Sequence, residues 1–146
     1  GAVKTYVRGR NLHDFIRTWR EIELLATFNG TNFDLPFLMR EFGFSVHAPH
    51  IDLMREARQW GYFGGLKAIE RNLGYTRTAE EAGDGALAVR LWKDHIATKS
   101  ETALGRLVSY NTRDTLSLVS LSRHLWKLSC CNYHAPHPNL DTDLAL

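Results

Sequence analysis

The sequence predicts an α/β domain in which helices pack on a thin sheet. Apolar patterning alternates strand, helix, strand, helix before it passes into a run of helices. At 146 residues and 44% hydrophobic the chain is large enough to close one core, and a second full domain does not fit. The 18 basic and 16 acidic residues leave a net charge of only +2, so there is no global basic field, and any nucleic-acid surface has to be local. No uninterrupted apolar run approaches the roughly 20 residues of a membrane span, and the start GAVKTYVRGR lacks the apolar stretch of a secretory signal. The only cysteines, Cys130 and Cys131, are neighbours and cannot easily staple distant parts of one domain. Reduced thiols in a cytoplasmic protein with no membrane association are expected.

Each element has a local reason. Residues 2–8 are β-rich and partly alternating, and Asn11 is a natural N-cap for a helix with an apolar face of Leu12, Phe15, Ile16 and Trp19. The short apolar run LLATF (24–28) ends at Asn29-Gly30 like a buried strand of an α/β sheet. A helical pattern restarts over residues 34–42, with Asp34 as N-cap, Pro36 in the first turn and Gly43 as the stop. A short strand is expected near 50–52. Asp52 then caps MREARQW, and Leu66, Ile69 and Leu73 give LKAIERNL its helical face before Gly74. After Gly83-Asp84, where Asp84 reads as another cap, ALAVRLWKDHI is helical, and a last long helix runs from about Glu101 to Lys127. The division is a domain over residues 2–128 and an aperiodic tail over 129–146. Sheets commonly carry about five or six strands. Two or three strands therefore suggest a sheet that lacks its first strands or is completed elsewhere.

The strongest chemical anomaly lies in the last helix. At about 100° per residue, Leu107, Leu118, Leu121 and Leu125 fall within roughly 40° of Asp114, which places a carboxylate in the apolar stripe. An ionised carboxylate there needs a cation, a donor cluster or a metal. Tyr110 lies one turn earlier on the same face. The purely structural alternative is that Asp114 pairs with an arginine from a neighbouring helix while Tyr110 is a core aromatic with a hydrogen-bonded hydroxyl. A second carboxylate, Asp34, stands at a strand-to-helix junction, the edge where open α/β sheets place ligands. As a helix cap alone it would contribute about 1 kcal/mol.

These residues resemble two of the three signatures of the ribonuclease H-like DEDD 3′-5′ exonucleases. TFNGTNFDLPFL resembles the second motif and supplies Asn29, Phe33 and Asp34, while YNTRD resembles the third motif of the tyrosine subgroup and supplies Tyr110 and Asp114. The segments between them, HIDLMREARQW, GGLKAIERNLGYTR and DGALAVRLWKDHI, look like the linking segments of the YprB-like group, so the resemblance covers about residues 2–127. It implies a ribonuclease H-like fold, a mixed central sheet flanked by helices. It also implies two divalent ions, magnesium or manganese, acting on the single-stranded 3′ end of a nucleic acid. Two ions about 4 Å apart activate a water and stabilise the leaving oxygen, and carboxylates suit such hard cations. On the family's pattern Asp114 ligates the ion that activates the nucleophile, Asp34 supports the second, and the Tyr110 hydroxyl orients the attacking water. Asn29 and Phe33 then lie beside the terminal nucleotide. Phe33 offers a base-stacking face worth about 1–3 kcal/mol, a core aromatic being the alternative.

The sequence departs from the family at the first motif. Asp-x-Glu supplies two of the four ligands, and none of the aspartates at 14, 34, 52, 84, 94, 114, 141 and 143 is followed by glutamate two positions later. Glu21-Ile22-Glu23 precedes the wrong strand, and Asp141-Thr142-Asp143 lies in the tail. The simplest expectation is a chain shortened at its amino end, a metal-dependent exonuclease in complete form, with activity and inactivity of the chain as given both left open. Its rival is a catalytically degenerate module of the same fold that binds nucleic acid or protein. A third account is an unrelated packing domain in which Asp34 is a cap and Asp114 an ion pair. An incomplete sheet edge invites pairing, so an oligomer is conceivable. Cys130, Cys131, His134 and His137 lack the pair spacing of a structural zinc site. His47 and His50 read as surface histidines, and Gly64-Gly65 alone is a weak phosphate signal. Lys67, Arg71, Arg77, Arg90 and Lys93 are a candidate basic rim, with scattered solvated charge as the default.

Overall fold

The structure, a computed structural model, describes residues 2–77 and 85–133. The strand expected over residues 2–8 is not formed: the segment is irregular and pairs with no strand among the described residues. Asn11 does not cap the following helix either, because its side chain braces the turn before it. Asn11 Oδ1 accepts from the Val7 amide at 2.9 Å and Nδ2 donates to the Thr5 carbonyl at 2.9 Å. A 3-10 turn over Leu12–Asp14 leads into α1, Phe15–Arg20. Its buried Trp19 stacks on Phe44 at 4.4 Å between ring centroids, and Phe44 stacks on Phe42 at 5.4 Å, which pins α1 to the end of α2.

Strand β1, Leu25–Thr27, is followed by α2, Asp34–Phe42, and by β2, His50–Asp52. Gly43 closes α2 with φ +66°, its amide on the Met39 carbonyl at 2.8 Å. The strands pair in parallel with Leu25 opposite His50, Ala26 opposite Ile51 and Thr27 opposite Asp52. A mixed central sheet is the expectation. The described sheet is this one parallel pair, because the crossover through α2 returns the chain in the same direction. Ile51 remains exposed on it, as does Leu24 just before β1.

The rest is helical: α3, Leu53–Gln59; α4, Leu66–Asn72; α5, Gly85–Thr98; and α6, Glu101–Tyr133. Helix α6 is the spine, with α5, α3 and α4 packed against it. The core joins Leu53 and Ala57 of α3, Ile69 of α4, and Leu121 and Leu125 of α6, with Phe28, Tyr62 and Leu66 closing its margins. Each large aliphatic side chain there contributes about 1.5–3 kcal/mol by burial. Helix α6 runs past Lys127 into the expected tail, since no proline or glycine interrupts it before Pro136. Cys130 and Cys131 stand on it as thiols. The candidate ligands His134 and His137, the rest of the tail with Asp141 and Asp143, and the candidate cap Asp84 lie outside the described residues. Among the described residues no helix is long and apolar enough to cross a membrane.

Candidate functional site

At the end of β1 the chain turns through Asn29, which holds φ +58°, a left-handed conformation that asparagine tolerates better than most residues. Gly30 follows because nothing larger fits: a Cβ there would lie 2.3 Å from Thr27 Oγ1. The Gly30 carbonyl accepts the Leu35 amide at 2.9 Å, so an orphan donor of the first turn of α2 is satisfied by backbone. This explains a difference from the sequence expectation. Asp34 is not the N-cap but the first helical residue; Phe33 occupies the cap without a side-chain bond.

The carboxylate that organises this turn is Asp52, at the end of β2. It accepts from the Asn29 amide at 2.7 Å, the Thr31 amide at 3.3 Å, the Thr31 hydroxyl at 2.9 Å and the Met54 amide at 3.2 Å. The expected cap of α3 is therefore also the anchor of the β1–α2 loop. Burial works to raise the Asp52 carboxyl, and these bonds outweigh it and hold the group below the usual range. Asp34 goes the other way. Although the residue is exposed overall, partial withdrawal of its carboxyl from water and the negative charge of Asp52 push it upward against its own backbone amide. Beside it Phe33 is 60% exposed, which removes the core-aromatic alternative for that ring. Asn29 gains a structural duty: its Oδ1 accepts from Asn32 Nδ2 at 2.8 Å.

A second centre lies on α6. Tyr110 is buried, and its hydroxyl accepts from Lys67 Nζ at 2.7 Å, with the ammonium 4.5 Å from the ring centroid. Asp114 meets the guanidinium of Arg77, whose Nη1 donates to Oδ1 at 2.6 Å. Arg77 also grips Glu70 through Nε and, at 2.7 Å, through Nη2. The pairing that a structural account requires of Asp114 is thus present, supplied by the segment after α4 rather than by a neighbouring helix. Burial works to raise the Glu70 carboxyl, and hydrogen bonds from Arg77 and Ser117 with the charges of Arg77 and Arg113 hold it low. The Arg77 guanidinium is raised by Glu70 first, against burial, and by Asp114.

Glu70 escaped the sequence reading although it carries the same signal as Asp114. It lies four residues after Leu66 and three before Leu73 on one helical face, and it is only 4% exposed. Asp34, Asn29 and Phe33 thus gather around Asp52, while Tyr110 and Asp114 gather with Lys67, Glu70 and Arg77. Among the described residues no group of three or more His, Cys, Asp or Glu side chains converges to hold a metal ion. Asp34 and Asp114 have the right donor chemistry for magnesium or manganese, but a guanidinium holds Asp114. As arranged, the described residues do not fit a two-metal centre. A cavity of about 960 Å³ between residues 2–8 and α6 is lined by Tyr6, Leu107 and Leu116 but by none of the candidate site residues.

A family model described as the RNase H superfamily matches residues 3–126, a span that contains both centres. Comparison with curated proteins and comparison with solved structures each give no match.

Proposed function

The chain belongs to the RNase H superfamily, and from that premise we propose that it is a domain of the 3′-5′ exonuclease kind acting on the single-stranded 3′ end of a nucleic acid. The superfamily itself points to nuclease-type hydrolysis of nucleic acid. Asp34, Tyr110 and Asp114 are the catalytic residues in this reading, and Asn29 and Phe33 border the terminal nucleotide. In this reading the cofactor would be two divalent ions, magnesium or manganese, with Asp34 and Asp114 as the donors this chain brings, and Asp114 would have to leave the Arg77 guanidinium to serve as a ligand.

The observation that carries the reading is Phe33. The ring is 60% exposed immediately before a carboxylate whose charge is disfavoured, and at that place in the second motif it offers a platform for a base. The test is manganese-dependent degradation of 5′-labelled single-stranded DNA and RNA by the chain and by its Asp114→Asn variant. A ladder that shortens from the 3′ end with the parent and is absent with the variant is the expected result. A ladder of equal intensity from both proteins would overturn the role of Asp114. A second reading is favoured by the Arg77–Asp114 pair: a module of the same fold that holds nucleic acid without cutting it. Binding with no cleavage by either protein selects that reading.

A further inference from the structure

A cleft of about 410 Å³ opens beside the α6 centre, lined among the described residues by Lys67, Glu70, Arg71, Tyr75, Thr76 and Arg77. Its charges are unequally spent. Glu70 and Asp114 are both committed to Arg77. Lys67 has the Tyr110 hydroxyl and ring as its partners, neither of which carries a compensating charge, and an ammonium has three donors to place. Arg71, exposed, makes no ion pair among the described residues. Arg113 adds another cation at the margin, with Nη2 on the Thr76 carbonyl at 3.4 Å. Among the described residues, four cations thus stand around two carboxylates. Lys67 and Arg71 are also four residues apart on α4, a spacing at which like charges repel across one helical face. An anion seated between them would relieve that repulsion. At the rim stands Tyr75, a residue 38% exposed.

We infer that this cleft is a substrate-strand subsite, in which Lys67 and Arg71 hold a backbone phosphate and Tyr75 stacks on the neighbouring base of a single-stranded polynucleotide. The combination of paired cations with an adjacent exposed aromatic is what a single strand requires, because stacking tolerates any base and the phosphate fixes the register. Contact between Lys67 and the Tyr110 hydroxyl joins the subsite to the α6 centre, so a strand held here passes next to Tyr110. Of the five basic residues singled out in the sequence, this keeps Lys67 and Arg71, assigns Arg77 to the carboxylates, and leaves Arg90 and Lys93 on α5 outside the cleft. The inference rests on the nucleic-acid reading above but needs neither cleavage nor metal.

The experiment is fluorescence anisotropy with labelled oligothymidylate and oligouridylate of about fifteen nucleotides, in EDTA, across a salt series. The proteins are the parent chain, Lys67→Met, Arg71→Gln, Tyr75→Ala, the Lys67→Met/Arg71→Gln double variant, and Lys93→Gln as the charge control. Circular dichroism melts verify folding, and Arg71→Gln, at an exposed position, keeps the test valid if Lys67→Met unfolds. The double variant should lower the slope of log Kd against log salt by about 0.7, the value of one phosphate contact on a single strand. Tyr75→Ala should weaken binding about fivefold or more, and Lys93→Gln should match the parent. Equal binding by the parent, Arg71→Gln and Tyr75→Ala overturns the subsite and leaves the exonuclease reading standing. Failure of the parent to bind either oligonucleotide overturns both. Thymidine monophosphate competing as strongly as the oligonucleotide overturns the strand and leaves a mononucleotide pocket.

Discussion

The two carboxylate centres of this molecule solve the same electrostatic problem with different partners. At the strand end, Asp52 is compensated by three backbone amides and a hydroxyl, which are fixed by the turn itself. On α6, Glu70 and Asp114 are compensated by one guanidinium reaching in from the segment after α4. Amide donors leave their carboxylate charged and the neighbouring Asp34 open to solvent. A guanidinium cancels the charge and ties two helices together. The strand-end centre is therefore built as a scaffold around an accessible acid, and the α6 centre as a buried clasp whose acid is already engaged.

The comparison is broken most forcefully at Arg77. Arg77→Ala leaves Glu70 buried without its bidentate partner and should cost about 3 kcal/mol, read as a lowered urea midpoint at neutral pH. The pH dependence should change sign as well. In the parent, the Glu70 carboxyl is held below its usual value, so its stabilisation is present above about pH 4.5 and is lost as pH falls through the lowered value. In the variant only the Ser117 hydrogen bond and the charge of Arg113 oppose burial, so the Glu70 carboxyl should rise and acidification should relieve the penalty. Unfolding midpoints for both proteins at pH 7 and near pH 4 measure this directly.

A smaller effect is expected at the strand end. Asp52→Ala strips the acceptor from four donors, of which water can reach some, so the cost should be about 2 kcal/mol. It should also remove the acid sensitivity that comes from the lowered Asp52 carboxyl, whose stabilisation fades as pH falls below the ordinary aspartate range. Denaturant titrations across pH separate the two losses. The smallest effect is a gain. Because the Asp34 carboxyl is pushed upward, its charged form is disfavoured above its folded pKa, and Asp34→Asn should raise the melting temperature slightly at neutral pH, a difference that vanishes in acid. A loss of stability in that variant would mean that Asp34 holds the turn together, as Asp52 does.

What was legible in the sequence follows from how local each cause is. Strands 25–27 and 50–52, α2 with its stop at Gly43 and the helices α3 to α5 rest on short-range pattern and capping, and they appear where the residues place them. Residues 2–8 have strand propensity, but a ladder needs a partner, and none stands beside them among the described residues. Asp34 was misplaced by one position because the Gly30 carbonyl took over a task usually given to a side chain. The anomaly at Asp114 was visible on the helical wheel, yet its partner was not. Arg77 is 37 residues away, and no periodicity announces such a contact.

The three-residue length of β1 and β2 has a consequence for where this fold holds together longest. A parallel pair so short, with no third strand beside it among the described residues, has few ladder bonds and leaves Ile51 exposed, so its local opening releases little buried surface. The junction of α3, α4 and α6 has Ile69 and Leu121 almost wholly enclosed. Among the described residues the hierarchy familiar from deep α/β sheets is thereby inverted: the strands and the turn that carries Asp34 are expected to open at lower cost than the junction of the helices.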